Sequence, residues 1–292
     1  MLPLLAIPGL NSFVLFFALP CMLYRFGAST PVAQLVNPSL MGVWVVCALV
    51  MVGLTVALTR RGRIGWNDAA FGALVAAFPN TGFMGVPLLV ALLGASAAGP
   101  AIVTIAIDMV LTSSLCIALS RLDGAGTHGA AQAARLALKG VVANPLPWSI
   151  VLGALASGFG VVLPGPLQAT VGMLADAASP VALFTIGAVL ARSQMTSSAP
   201  TPLADYLPVV FIKLVLHPLL VGAVGLAAIA LGLPLDRFVL TVLVLAAALP
   251  SASNVAMLAE RFGADNGRIA RIILWSTVLA FFSFSAAVTW LA

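Results

Sequence analysis

Long apolar blocks separated by short polar breaks run the length of the chain. They fall near 2–25, 39–59, 69–94, 99–121, 145–163, 167–192, 206–231, 237–260 and 269–291. Each block is apolar on all sides, and a helix needs roughly 17–25 residues, at about 1.5 Å each, to cross hydrocarbon. A strand reading fails, because membrane barrels alternate apolar and polar residues in runs of about ten. In lipid the backbone must bond within the protein, which leaves helices. The pattern predicts an all-α integral membrane protein of about nine spans.

Composition agrees with that pattern. The 292 residues are 62% hydrophobic and 7% charged, where a soluble domain carries roughly 25% charge. The first block has no basic start, carries Pro3, Pro8 and Pro20, and is followed by no small-residue cleavage pattern. It reads as a span and not as a signal peptide. The net charge of +5 does not point to nucleic acid, because the basic residues sit on alternate loops. Arg60, Arg61 and Arg63 share one loop, Arg121, Arg135 and Lys139 another, Arg192 begins a third, and Arg261, Arg268 and Arg271 cluster around a fourth; the intervening loops hold Arg25 and Arg237. The positive-inside rule then puts the amino terminus in the cytoplasm and the carboxyl terminus on the outer side. Cys21, Cys47 and Cys116 fall inside spans and read as packing residues. Residues 129–139 read equally as a short amphipathic surface helix or as a plain solvated linker.

Internal repetition comes next. Ala76-Ala77-Phe78-Pro79-Asn80 in the third block is matched by Ala247-Ala248-Leu249-Pro250-Ser251 in the eighth, and Leu93-Gly94-Ala95 by Phe262-Gly263-Ala264. Ala18-Leu19-Pro20 with Leu23 likewise matches Ala178-Ser179-Pro180 with Leu183. An odd separation of spans makes each copy run opposite to its partner, as an inverted repeat requires. The expected organisation is a first repeat of four spans over 1–121, a cytoplasmic linker over 122–144 and a second repeat of five spans over 145–292. The first helix of a ten-span parent is expected to be missing.

Pro79 and Pro250 fall near the middle of their spans, where proline removes a helical hydrogen bond and clashes with the preceding turn. Such breaks are tolerated in membranes where they line a buried cavity. Two crossed breaks aim half-helix amino ends, with their partial positive charge and N–H groups, at one small volume that suits an anion. Asn80, Thr81, Ser251, Ser253 and Asn254 add side-chain donors, and Gly82 and Gly85 let the backbone approach closely.

The segment from Phe78 to Leu89, Phe-Pro-Asn-Thr-Gly-Phe-Met-Gly-Val-Pro-Leu-Leu, resembles the fourth-helix signature of the auxin efflux carrier family, which includes the plant PIN proteins and bacterial malonate-type permeases. Leu249-Pro250-Ser251-Ala252-Ser253-Asn254-Val255 resembles the ninth helix of bacterial members. Lys213-Leu214-Val215-Leu216-His217-Pro218-Leu219 resembles their eighth helix, and Ser179-Pro180-Val181-Ala182-Leu183-Phe184 with Gly187 their seventh. The resemblance implies two inverted five-helix repeats, a bile-acid-symporter-like fold with crossed helices, a scaffold sliding against a transport domain, and a small organic anion such as malonate as substrate. It implies a substrate contact for Asn80 and a bacterial inner membrane as the location, with the carboxyl terminus periplasmic, and it allows a homodimer through the scaffold helices. The plant ninth-helix motif is not reproduced, so the resemblance carries less for Ser251 and Asn254.

Ionisable groups inside spans are costly and mark candidate chemistry. Asp108 is read as a proton relay or site cap, or else as a structural hydrogen-bond partner, and Asp176, four before Pro180, as a coupling group or a residue nearer an interface; Lys213 and His217, four apart on one helical face, are read as a counter-charge or proton switch, with Lys213 alternatively snorkelling to the cytoplasmic interface. Two aspartates also raise an intramembrane aspartyl protease, but neither stands in a Tyr-Asp or Gly-x-Gly-Asp context. No zinc motif, nucleophile elbow or phosphate loop occurs, so no enzyme, cofactor or metal is expected. A sodium-coupled bile-acid-type symporter is the rival transporter; sodium wants a carboxylate near the crossing, and Glu260 stands well downstream of Pro250. That favours uniport or proton coupling.

Overall fold

The computed structural model describes residues 6–31, 37–61, 64–122, 145–196 and 201–291. Arg63, Arg135, Lys139, the 129–139 stretch and the 122–144 linker beyond Leu122 lie outside the described residues. The helices are α1 (Ala6–Ser29), α2 (Pro38–Thr59), α3 (Trp66–Ala77), α4 (Thr81–Leu93), α5 (Ala95–Ser120), α6 (Pro145–Phe159), α7 (Gly165–Thr196), α8 (Leu203–Ala230), α9 (Arg237–Ala248), α10 (Asn254–Arg261) and α11 (Asn266–Leu291). Six apolar stretches, in α1, α2, α5, α7, α8 and α11, are long and apolar enough to cross a bilayer. Among the described residues there is no strand, only one isolated bridge. The protein is thus an all-helical integral membrane protein. Phe159, Leu226, Phe281 and Trp290 are among the large apolar side chains exposed on its outer faces, which suits lipid as the surrounding solvent.

Start signals are local. Asn37 caps α2 by accepting from the Leu40 amide at 3.0 Å, with Pro38 in the first turn. Asp236 caps α9 through the Phe238 amide at 2.6 Å.

Four helices widen locally into five-residue π-turns: Val14–Ala18, Thr81–Gly85, Asp108–Thr112 and Ile212–Leu216. Three of these end two residues before a proline, at Pro20, Pro87 and Pro218. Proline cannot donate and its ring crowds the carbonyl four residues back, and an i→i+5 turn relieves that crowding. At the fourth, the Ser113 hydroxyl bonds the Asp108 carbonyl at 2.9 Å, an inserted side chain having the same widening effect.

Helices α6 and α7 pack chiefly on α1, and α2–α5 with α8–α11 form a second group. Without a hydrophobic driving force between helices in lipid, close packing of small residues does much of the work. In the first group α1 and α6 touch backbone to backbone at Gly27 and Gly153; a Cβ on Gly27 would stand 2.7 Å from the Ile150 carbonyl oxygen. The second group is pinned at one end by Arg268, a residue that the sequence pattern puts among the loop cations but that is buried here. Its Nε donates to the Asp205 carbonyl at 2.7 Å and its Nη1 to the Asp68 carbonyl at 2.8 Å, while its amide donates to Asp265 at 2.9 Å. The starts of α3, α8 and α11 are joined this way. The groups meet where α7 lies along α11 and where α1 closes over the break between α3 and α4.

Candidate functional site

Helix α3 stops at Ala77 because Pro79 forces the residue before it out of helix, and Phe78 takes φ −99° and ψ 103°. Helix α9 stops at Ala248 in the same way, with Leu249 extended before Pro250. The two extended segments run antiparallel with Pro79 opposite Ser251. The Asn80 amide donates to the Pro250 carbonyl at 2.8 Å and the Ala252 amide to the Phe78 carbonyl at 2.9 Å. Each break therefore supplies the backbone partners that the other has lost, which meets the demand of a lipid-enclosed chain.

Helices α4 and α10 restart at this crossing, so two amino ends converge there. Asn80 Nδ2 donates to Ser253 Oγ at 3.2 Å, joining the two breaks by side chains as well. Asn80, Thr81, Ser251, Ser253 and Asn254 are all buried. The hydroxyls of Thr81 and Ser251 have no hydrogen-bond partner among the described residues; a buried hydroxyl without a partner costs about 1–3 kcal/mol and marks a place where a polar ligand is favoured. Asn254 Nδ2 has only the Met109 sulfur, at 3.9 Å. Between the crossing and α1 lies a cavity of about 10 Å³, lined by Asn80, Gly82 and Asn254 on one side and by Leu19, Met22 and Leu23 on the other. That is about one water in size, so α1 seals the crossing. Gly85, rather than Gly82, makes the close approach, lying against the Leu249 side chain.

A second buried cluster stands behind the crossing. The indole of Trp44 on α2 donates to Asp108 Oδ1 at 3.1 Å, and the Thr112 hydroxyl donates to the same oxygen at 2.9 Å. Asp108 Oδ2 is buried without a partner among the described residues. On α8, Lys213 Nζ bonds His217 Nδ1 at 2.9 Å and donates to the Ala247 carbonyl at 3.0 Å. The Lys213 amine thus sits on the carboxyl end of α9, where free carbonyls and partial negative charge favour its charged form. The Trp44 and His217 rings lie 5.5 Å apart, which brings the Asp108 and Lys213 ends of the cluster together.

A family described as membrane transport protein matches residues 1–288. The chain belongs to this auxin efflux carrier family. A protein of Rhizobium meliloti (strain 1021) provisionally named a malonate transporter is 28% identical over 278 residues, covering 94% of this chain and 84% of the relative. An uncharacterized transporter of Escherichia coli (strain K12), YfdV, is 32% identical over 196 residues, 67% of this chain and 59% of the relative. An uncharacterized transporter of Methanothermobacter thermautotrophicus is 27% identical over 232 residues, 78% of this chain and 71% of the relative. This auxin efflux carrier family member is a multi-pass membrane transporter and not an enzyme.

Within this family member, the residues expected from sequence fall into two places and an outlier. Pro79, Asn80, Thr81, Gly82, Pro250, Ser251, Ser253 and Asn254 gather at the crossing. Asp108, Lys213 and His217 gather behind it. Asp176 stands apart on α7, in an exposed ion pair with Arg25 at 2.7 Å. Trp44 and Ser276 join the site without any sequence signal of their own. Ser276 Oγ accepts from the Ser251 amide at 3.2 Å, and nothing in the local pattern of α11 distinguishes it from other small residues there.

Proposed function

We propose that this carrier moves a small organic anion, malonate or a similar carboxylate, by sliding the α2–α5 and α8–α11 group against α1, α6 and α7. The nine apolar stretches act as two inverted repeats, with α3–α4 and α9–α10 as the broken spans. The observation that carries the reading is the antiparallel pairing of Pro79 with Ser251, which brings two helix amino ends and the unpartnered hydroxyls of Thr81 and Ser251 to one buried point. A carboxylate there accepts from Thr81, Ser251 and Asn80 and draws on both helix ends. Lys213 acts behind it as a counter-charge and Asp108 and His217 as proton-coupling groups, with proton coupling favoured over sodium because the first carboxylate after Pro250, Glu260, lies ten residues on.

Reconstituted protein is expected to take up labelled malonate, and Asn80→Ala to abolish that uptake while leaving expression intact. Uptake no better than empty liposomes across a panel of carboxylates and auxin-like acids would refute the reading. Imposed proton and sodium gradients, applied separately, decide the coupling: the proton gradient is expected to accelerate uptake and the sodium gradient to leave it unchanged.

A further inference from the structure

The surface between the two helix groups is apolar over the crossing, where Leu19, Met22 and Leu23 of α1 face Phe78, Ile105 and Met109. Apolar contacts of this kind slide with little directional cost. At the far end of α10 the contact changes character. Glu260 Oε2 accepts from Asn11 Nδ2 of α1 at 2.6 Å and from Asn266 Nδ2 of α11 at 3.0 Å, while Oε1 accepts from Arg192 Nη1 of α7 at 2.9 Å. The neighbouring Arg261 guanidinium lies 5.0 Å from the Phe16 ring of α1. Both members of the Glu260–Arg192 pair are largely shielded, with side-chain exposures of 20% and 25%. By contrast the exposed Arg25–Asp176 pair joins α1 to α7 within one group and spans nothing that has to move.

We propose that Glu260 is a clasp between the two helix groups, its bonds to Asn11 and Arg192 holding α10 against α1 and α7 and opening once in each transport cycle. The proposal rests on the sliding-group reading above. Helix α10 carries both ends of the device. Asn254 at its start lines the crossing, and Glu260 lies six residues on, about 9 Å along a rigid helix. Sliding of the group that carries α10 past α1 and α7 therefore strains the bonds at its carboxyl end. Those bonds are charge-assisted and directional, so they resist displacement in a way the apolar surface does not.

The test reads opening without substrate. In a background with Cys21, Cys47 and Cys116 replaced by alanine, Met22→Cys places a thiol on α1 against the sealed crossing. Its labelling by a maleimide is followed in purified protein in detergent. Glu260→Gln, which keeps the size but removes the charge, is expected to speed labelling about tenfold, the effect of losing one charge-assisted bond. Asn11→Ala is expected to speed it by a smaller factor, and the double variant to add little to Glu260→Gln, because both act on one contact. Unchanged or slower labelling in both single variants overturns the clasp; if Glu260→Gln does not fold, Asn11→Ala decides alone. A protein that labels as expected but takes up no carboxylate refutes the anion reading and leaves the clasp standing.

Discussion

The two helix breaks match residue for residue in outline, yet the fold anchors them differently. Both have alanines before the proline, both turn extended at the proline, and both second halves end at a glycine with positive φ, Gly94 at 88° and Gly263 at 70°. Glycine suits that conformation at no steric cost. The second break is held from both sides: Lys213 bonds the Ala247 carbonyl behind it and Ser276 receives the Ser251 amide within it. The first break has no such support. Among the described residues no side chain donates to the last carbonyls of α3, and Asn80 reaches only to the second break, at Ser253. The shared sequence sets the crossed geometry; the unshared neighbours decide which half is fixed. If the crossing binds substrate as proposed, the second break is the anchored wall of the site, and the first, followed by the π-turn at Thr81–Gly85, is the half with freedom to adjust.

The largest expected effect comes from removing that anchor. Lys213→Met removes the amine from the carboxyl end of α9 and leaves both the Ala247 carbonyl and His217 Nδ1 buried without the partner they have there, at a cost of about 1–3 kcal/mol each. Thermal unfolding in detergent should fall sharply. A Lys213→Met protein as stable as the parent would contradict the anchored-wall picture. Asn80→Ala tests the other half, and its effect should fall on uptake rather than on stability. Uptake should drop to background while unfolding moves by no more than about 1 kcal/mol, the worth of one neutral hydrogen bond. Ser253→Ala should reduce uptake less, since it removes only one acceptor from Asn80.

Much of this arrangement is legible in the order of the amino acids. The apolar blocks locate the helices to within a few residues, because an apolar run of that length has one stable form in lipid. The prolines locate the breaks for the same local reason. The pairing of Pro79 with Ser251 is not legible, since a two-residue extended segment has no periodicity to read. Nor is the target of Lys213, because a backbone carbonyl such as that of Ala247 leaves no mark in the sequence. Spacing correctly puts Lys213 and His217 on one face but cannot say that Trp44 and Asp108 stand opposite. As a sodium ligand for the crossing, Glu260 is disfavoured by its distance from Pro250. That distance is what lets it reach Asn11 and Arg192. The prolines carry one further signal: Pro20, Pro87 and Pro218 each follow a π-turn by two residues, and two of those turns hold Thr81 and Lys213.

The smallest expected effect on uptake isolates the second anchor. Ser276 touches no part of the crossing cavity, and its hydroxyl accepts from the Ser251 amide while donating to the Ile273 carbonyl at 3.0 Å. Ser276→Ala leaves the Ser251 amide buried without an acceptor, which costs about 1–3 kcal/mol. Ser276→Thr keeps the hydroxyl and should recover most of that stability. In the alanine variant the second break gains freedom, so uptake should weaken through the apparent affinity for substrate, a raised KM, more than through the maximal rate. The first break contains no equivalent amide-to-side-chain tie among the described residues, so no matching substitution there should produce the same split. If Ser276→Ala lowered the maximal rate alone, Ser276 would be acting on the sliding of the helix groups and not on the shape of the site, and the two breaks would be equally free.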